Sequence, residues 1–257
     1  MLDYIRSNRK VRDVILSGGD PLSLSTSFLE SVIAELRRIE HVEIIRIGSR
    51  FPVVLPQRVD AELCDMLSHY GPIWLNTHFN HPRELTPEAA LACDRLVRAG
   101  VPVNNQTVLL KGVNDDVVTQ TRLCQGLLKI KVRPYYLFQC DEVKGTEHFW
   151  TSVAAGTSII EGMRGFTSGL AIPTYVIDLA HGGGKVPLQP NYLLSQTEDN
   201  LLVLRNYQGH IFSLTRIPAP GGKRYVLPAV RSVRGRFLSP RWCHYRGKKL
   251  IEDRHHL

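Results

Sequence analysis

The sequence has little that would place it in a membrane, in a secreted disulfide scaffold or around a zinc ion. Its apolar runs fall short of the roughly 18 residues that a membrane helix needs, and its first residues carry no signal-peptide core. The five cysteines are scattered without a C-x-x-C pair, which predicts reduced thiols. These absences favour a cytoplasmic protein without a membrane partner.

The chain also lacks an excess of basic charge over most of its length. The formal net charge is +8, yet residues 1–220 hold 22 Lys and Arg against 22 Asp and Glu, so the surplus lies in residues 221–257. A nucleic-acid-binding fold should instead carry its basic groups along one face of a domain. Nucleic acid is therefore not expected as a partner. The basic end is predicted to be a solvated tail, with contact to RNA or acidic lipid as the alternative.

What the sequence does contain is a regular alternation. Short runs rich in Val, Ile and Leu alternate with amphipathic stretches about every 30 residues, which predicts a parallel sheet covered by helices. Six such units favour a barrel or partial barrel over a two-sided open sheet. Thr86 precedes a proline as a helix N-cap, and Gly100 stands where a C-terminal glycine belongs. The predicted strands are Val11–Ser17, Val42–Gly48, Ile73–His78, Val103–Leu109, Val132–Phe138 and Thr174–Ile177, and the predicted helices are Thr26–Arg38, Ala61–Tyr70, Pro87–Ala99, Val117–Ile130 and Gly156–Arg164.

The alternation ends after Lys185. Leu201–Asn206 and His210–Leu214 flank Tyr-Gln-Gly and predict a β-hairpin. Beyond Pro218 the sequence has no sustained period. The predicted domains are a partial barrel at residues 1–190, a hairpin region at 191–218 and an irregular basic tail at 219–257.

Polar residues gather where the predicted strands end, which is where a parallel barrel carries its chemistry. In Ser17-Gly-Gly-Asp20 the glycines let backbone N–H groups approach a ligand, and Asp20 can accept from an ammonium or a hydroxyl. An ordinary turn between strand and helix is the alternative. His78 and His81 stand at a strand end rather than on a helix, which favours hydrogen bonding over a zinc pair.

Charged candidates follow the later strands. His181-Gly-Gly-Gly-Lys185 predicts a mobile or close-fitting loop that presents one amine to an aldehyde cofactor or a phosphate, with a flexible surface loop as the alternative. The G-x-x-x-x-G-K-[ST] spacing of a P-loop is absent. Asp141 and Asp178 both follow predicted strands. They suit a shared proton, a metal or a clamped cation, or else a helix cap or turn.

Taken in order, these segments resemble the lysine 2,3-aminomutase family of radical S-adenosylmethionine (radical-SAM) enzymes over about residues 1–216. The resemblance implies an α/β fold, a partial radical-SAM (β/α)6 TIM-like barrel that lacks its first, cluster-bearing unit, followed by a β-hairpin and the basic irregular tail. The matching segments are Asp3–Arg6, Val11–Asp20, Val42–Arg50, Pro52–Arg58, Trp74–Pro82, Asn105–Leu110, Arg133–Tyr136, Glu147–Phe149, Arg164–Gly165, Val176–Asp178 and Gly182–Lys185.

The resemblance also implies roles for single residues. Lys185 would hold pyridoxal 5′-phosphate through its amine. Asp141 and Asp178 would grip the side-chain ammonium of a substrate lysine, because an ammonium that leaves water needs opposed charge and hydrogen bonds. The implied reaction is the isomerisation of L-lysine to β-lysine by radical 1,2-amino migration, and the aspartate pair favours lysine over glutamate. The residues implied for S-adenosylmethionine are Ser17, Gly18, Gly19, Asp20, His78 and Gln106.

The sequence departs from the family in two places. The family's three-cysteine motif for a [4Fe-4S] cluster lies upstream of the segment that matches Met1, so this chain alone is expected to lack turnover. Asp116 replaces the first zinc-ligand cysteine, so zinc is not expected and a homo-oligomer is left open. The alternatives are a fragment or binding protein that keeps the two cofactor pockets, and an aminomutase that acts on a protein-bound lysine.

Overall fold

Seven strands form one sheet in the first of two compact units of the chain, Met1–Pro190 and Asn191–Leu257. The computed structural model describes residues 1–180, 182–196, 201–215, 243–246 and 249–252. The strands of the sheet are β1 (Asp13–Leu16), β2 (Ile44–Gly48), β3 (Ile73–Thr77), β4 (Val103–Leu109), β5 (Arg133–Gln139), β6 (Thr174–Leu179) and β7 (Gly184–Pro187). The helices are α1 (Leu2–Ser7), α2 (Thr26–Arg37), α3 (Phe51–Val54), α4 (Ala61–His69), α5 (Pro87–Arg98), α6 (Val117–Lys129) and α7 (Val153–Met163).

The order of the strands makes the sheet a partial barrel. Strands β1 to β6 lie side by side in chain order, each parallel to the next. Because parallel crossovers are right-handed, an order that never reverses keeps the connecting helices on one face. The predicted α/β partial barrel is therefore confirmed. The sheet is mixed rather than wholly parallel, since β7 runs antiparallel to β6.

The long helices begin at side chains that accept a backbone N–H from the first turn, which satisfies donors that have no partner within the helix. Ser25, Asp60, Thr86, Asp116 and Ser152 do so for α2, α4, α5, α6 and α7. The prediction for Thr86 is confirmed, and Asp116 has a structural role as a cap. None of the helices in the described ranges is long and apolar enough to cross a bilayer.

The core lies between the sheet and the helices, and strand alternation separates it from the concave face. In β4 the residues Val103, Asn105, Thr107 and Leu109 are buried, while the residues between them are half-buried. Alternate residues of a strand point to opposite faces, so Gln106 belongs to the concave face. The largest buried cluster includes Ile45, Ile47, Leu63, Leu67, Ile73, Leu75, Leu96 and Leu127.

The second unit contains antiparallel strands. β8 (Leu193–Gln196), β9 (Leu201–Arg205) and β10 (Ile211–Thr215) form a sheet in the order β10-β9-β8, and the predicted hairpin is confirmed as β9–β10. The tail was predicted to be irregular, which is wrong for β11 (Cys243–Arg246) and β12 (Lys249–Glu252), since they pair antiparallel. The rest of residues 219–257 lies outside the described residues.

Candidate functional site

A cavity of about 860 Å³ lies on the concave face at the carboxyl ends of the parallel strands. We call it the strand-end cavity. Eight of the nine predicted site residues line it, and only Gly18 lies instead at an adjoining cavity of about 320 Å³. The topology explains this gathering, because parallel strands of a barrel deliver their following loops to one rim. The eight residues are Ser17, Gly19, Asp20, His78, Gln106, Asp141, Asp178 and Lys185.

Asp20 fixes the turn after β1. Its Oδ1 accepts the N–H of Leu22 at 3.0 Å and the hydroxyl of Ser49 at 2.7 Å. Its Oδ2 accepts the N–H of Arg50 at 2.7 Å, so the carboxylate joins the loops that follow β1 and β2. Gly18 and Gly19 have φ of +86° and +49°, values that other residues rarely adopt. The sequence predicted that the Asp20 carboxylate accepts hydrogen bonds from a ligand. In this structure its oxygens accept them from protein donors.

His78 directly follows β3, and Gln106 lies on the neighbouring strand β4 in the cavity wall. Burial lowers the pKa of His78 below its ordinary value of 6.5, and the Arg50 charge acts in the same direction. A hydrogen bond to the backbone of Gln106 and the charge of Asp20 oppose this lowering of the pKa. The His78 ring is therefore neutral near pH 7 and offers one donor nitrogen and one acceptor nitrogen.

A buried amide network holds the loop after β3 against β4. The Asn105 side chain accepts the N–H of Phe79 at 2.6 Å and donates to the carbonyl of Phe79 at 3.0 Å. Asn114 donates to the carbonyl of Asn80 at 2.7 Å. Both asparagine side chains are buried. Because Phe79 and Asn80 directly follow His78, the network sets the point at which the imidazole enters the cavity.

Lys185 and Asp178 form an ion pair at the rim of the cavity. The two residues stand opposite each other in the antiparallel pairing of β6 with β7. Lys185 Nζ lies 2.9 Å from Asp178 Oδ2, and the side chains are 40% and 39% exposed. The same nitrogen lies 5.6 Å from the centroid of the Phe138 ring, which adds a cation–π contact.

The predicted loop around Lys185 is wrong, because the lysine belongs to strand β7. Gly182, in the turn between β6 and β7, has φ of +82°, and Gly184, the first residue of β7, has φ of +74°. Glycine is the usual residue for such turns, so the glycine run marks a reversal of the chain between β6 and β7. Pairing with β6 then holds the lysine backbone in place. His181 lies outside the described residues.

Asp141 enters the cavity from the loop after β5. Its carbonyl accepts the indole N–H of Trp150 at 3.2 Å. Gln139, two residues earlier, is buried and accepts the hydroxyl of Tyr175 at 2.5 Å. These contacts anchor the loop, and Asp141 and Asp178 line the same cavity. Neither aspartate is the N-cap of a helix in the described ranges, so the helix-cap alternative is wrong for both.

Several lining residues were not among the predicted site residues. Arg46 on β2 pairs with both carboxylate oxygens of Asp13 on β1, at 2.9 and 2.8 Å. Tyr136 and Phe138 present their rings to the cavity from β5 and meet edge to face. Their spacing of two residues was an available signal, since such residues share one face of a strand.

The lining residues fit organic cofactors better than a metal cluster. The cavity volume falls within the range of small-molecule sites, and Lys185 is the one lysine among its described lining residues. Across the described ranges, no group of three or more His, Cys, Asp or Glu residues could hold a metal ion. Burial raises the pKa of the Cys93 and Cys124 thiols to about 12, which disfavours the thiolate that binds iron. The described residues therefore do not fit an iron–sulfur cluster.

The fold and the cavity together define an α/β partial-barrel protein with a lysine–aspartate pair at the rim of its strand-end cavity. A sequence model of the family described as Lysine-2,3-aminomutase matches residues 160–224. The chain is 58% identical over 214 residues to the L-lysine 2,3-aminomutase of Fusobacterium nucleatum, a match that covers 83% of this chain and 50% of that protein. The chain therefore belongs by sequence to the lysine 2,3-aminomutase family, as its motifs predicted.

Two further similarities complete the comparison. The glutamate 2,3-aminomutase of Clostridioides difficile is 48% identical over 225 residues, which cover 88% of this chain and 53% of that protein. The chain thus spans about half the length of the curated relatives that it matches. Among solved structures it is similar to Streptococcus suis SuiB, with a TM-score of 0.48 and 13% identity over 66% of this chain and 40% of that chain.

Proposed function

We propose that this chain forms the lysine-binding and cofactor-binding cavity of a lysine 2,3-aminomutase-type isomerase, which interconverts L-lysine and β-lysine. The observation that supports this most strongly is the strand-end cavity itself, where eight residues from distant parts of the chain lie together. The relatives from Fusobacterium nucleatum and Clostridium subterminale, each 58% identical to this chain over the matched region, carry the name L-lysine 2,3-aminomutase.

Lys185 would hold pyridoxal 5′-phosphate at the rim of the cavity. When bound, this cofactor supplies a conjugated ring system that stabilises the migrating amino group. The hairpin fixes the lysine backbone, and the Phe138 ring lies beside the amine at 5.6 Å. A side chain fixed on two sides needs little reorganisation to react.

The turn after β1 and the His78–Gln106 pair would bind S-adenosylmethionine. Gly18 and Gly19 have no heavy atom within 4 Å of where a Cβ would lie, so their backbone is open to a ligand. Asp20 holds that turn in place through Ser49 and Arg50. A neutral His78 would donate or accept one hydrogen bond without repelling the positive sulfonium of the ligand.

Asp141 and Asp178 would bind the side-chain ammonium of the substrate. An ammonium loses its hydration when it enters a cavity, and two carboxylates offset that cost through opposed charge and hydrogen bonds. A second carboxylate, such as that of glutamate, would be repelled by the same pair. Both aspartates line the strand-end cavity, which favours lysine as the substrate.

A binding protein without radical chemistry is the second candidate function. The observation in its favour is that the described residues do not fit an iron–sulfur cluster. Such a protein would still bind the aldehyde cofactor at Lys185, so the experiment below tests the cavity for both candidates.

The experiment treats the full chain with limiting pyridoxal 5′-phosphate, reduces it with borohydride and maps the modified peptide. We expect the label on Lys185 and its loss in Lys185→Arg, because borohydride fixes an imine to the lysine that formed it. Lys131 is the matched internal control, since it also pairs with an aspartate, Asp94, at 3.2 Å. A label spread over surface lysines with Lys185 unmodified would contradict the proposal.

A further inference from the structure

Asp178 has two amine partners: Lys185 in the structure and the substrate ammonium in the proposed function. In the structure its Oδ2 lies 2.9 Å from Lys185 Nζ, and the strand register places the two residues directly opposite each other. The proposed substrate would bring a second ammonium to the same carboxylate. The pairing therefore has a consequence for the order in which the cavity binds its ligands.

The pairing is built into the hairpin rather than being a chance approach of two long side chains. Cross-strand neighbours in an antiparallel pair keep their Cβ atoms about 5 Å apart, so each of the two side chains remains within reach of the other. Asp141 lines the same cavity, but among the described residues it has no cation within ion-pair distance. The two carboxylates are thus unequal before any ligand arrives.

A second ammonium cannot share Asp178 without cost while Lys185 keeps its charge. Two like charges that approach the same carboxylate repel each other, and the repulsion is stronger in a partly desolvated cavity than in bulk water. An incoming ligand would also have to replace the hydrogen bond that Lys185 already makes. Lys185 is therefore a competitor of any ammonium ligand at this carboxylate.

Capture of an aldehyde changes Lys185 in a defined way. The ammonium releases one proton to solvent, and its nitrogen forms a bond to the aldehyde carbon. The carbonyl oxygen leaves as water with the two remaining hydrogens of that nitrogen, and nothing is oxidised or reduced. The nitrogen then carries at most one N–H where it carried three, so its hold on Asp178 is weakened.

We propose that Lys185 stays paired with Asp178 until its amine reacts with an aldehyde cofactor, and that Asp178 then accepts a hydrogen bond from a ligand ammonium. This inference rests on the proposed function and adds an order of binding to it. Aldehyde and ammonium ligand bind with positive coupling, and by linkage each strengthens the binding of the other by the same factor. The chain without cofactor is thereby a poor binder of lysine.

The first test uses no cofactor, so imine formation plays no part. The affinities of the full chain for L-lysine and L-norleucine are measured by calorimetry in the unsubstituted chain and in Lys185→Met. We expect Lys185→Met to bind lysine about two- to fivefold more tightly, which is the effect of removing one competing, partly exposed ion pair. Norleucine has the same carbon chain without the ammonium, so its affinity should not change.

Two double variants show whether the gain in lysine affinity depends on Asp178. In the Lys185→Met background, Asp178→Asn should remove the gain entirely, whereas Asp141→Asn should remove only part of it. Both substituted positions are exposed, so unfolding midpoints should match those of the parent chain. Equal lysine affinity in the unsubstituted chain and in Lys185→Met, or no lysine binding by Lys185→Met, would overturn the inference.

The second test measures the same competition from the cofactor side. Pyridoxal 5′-phosphate is titrated into the unsubstituted chain, Asp178→Asn and Asp141→Asn, and imine absorbance is followed. We expect several-fold tighter binding in Asp178→Asn alone, because no ion pair has to break. Unchanged or weaker binding in Asp178→Asn overturns this inference while leaving the proposed function intact. Failure of every protein to label Lys185 contradicts the proposed function, and the cofactor-free test still decides the inference.

Discussion

At the scale of single residues, His78 carries a clear electrostatic signature. Burial lowers the pKa of His78 from 6.5, so the folded chain binds fewer protons at this site than the unfolded chain. Stability that comes from this difference is present above pH 6.5 and is lost as the pH falls through the lowered folded pKa. Acidification should therefore destabilise the chain partly through this one imidazole.

The prediction is that His78→Gln flattens the pH dependence of stability. The free energy of unfolding is measured by urea denaturation at about pH 7.5 and about pH 5.5. We expect a smaller acid-induced decrease in His78→Gln than in the parent chain. His69→Gln, at the exposed end of α4, is the matched control and should behave like the parent. An identical decrease in His78→Gln would show that the ring does not contribute.

At the scale of elements, the loop after β3 depends on Asn114. This buried side chain accepts the N–H of Leu110 at 2.7 Å and donates to the carbonyls of Asn80 and Val108 at 2.7 and 2.8 Å. Removing this side chain leaves three backbone groups without their hydrogen-bond partner and away from water. Since a buried unsatisfied group costs about 1–3 kcal/mol, we expect Asn114→Ala to lose roughly 2–4 kcal/mol of unfolding free energy.

Equilibrium unfolding in urea measures that loss. Asn104→Ala is the comparison, because Asn104 is only half-buried and its side chain donates a longer hydrogen bond, of 3.2 Å, to the side chain of Asn76. We expect a clearly smaller loss for Asn104→Ala. If the two variants lost the same free energy, the loop would not depend on the buried network.

The elements also show what the sequence can and cannot predict. The bounds of β4 are those predicted, and most other strand and helix ends lie within two residues of the predicted ones. This agreement arises because apolar runs and N-cap residues are local signals in the sequence. Helix α7 begins at Val153, earlier than predicted, because the side chain of Ser152 caps it by accepting the N–H of Ala155. β7 was missed because its four residues are all exposed and carry no apolar pattern.

At the scale of the whole molecule, the sequence predicts which residues form the candidate site but not the contacts between them. Strand ends of a parallel barrel converge, so residues as distant as Ser17 and Lys185 could be assigned to one rim from the sequence. The ion pair of Lys185 with Asp178 depends on the register of an antiparallel hairpin, which spacing alone does not give. The contacts of Asp20 with the loop after β2 depend likewise on tertiary packing.

The central claim is that the strand-end cavity selects an amino acid with a side-chain ammonium. The direct measurement is the binding of L-lysine and of L-glutamate to the full chain loaded with pyridoxal 5′-phosphate, followed by the change in cofactor absorbance. A charge-assisted hydrogen bond contributes about 1.5–3 kcal/mol, so lysine should bind at least about tenfold more tightly than glutamate. Asp141→Asn should reduce that preference. Equal or tighter binding of glutamate would contradict the account.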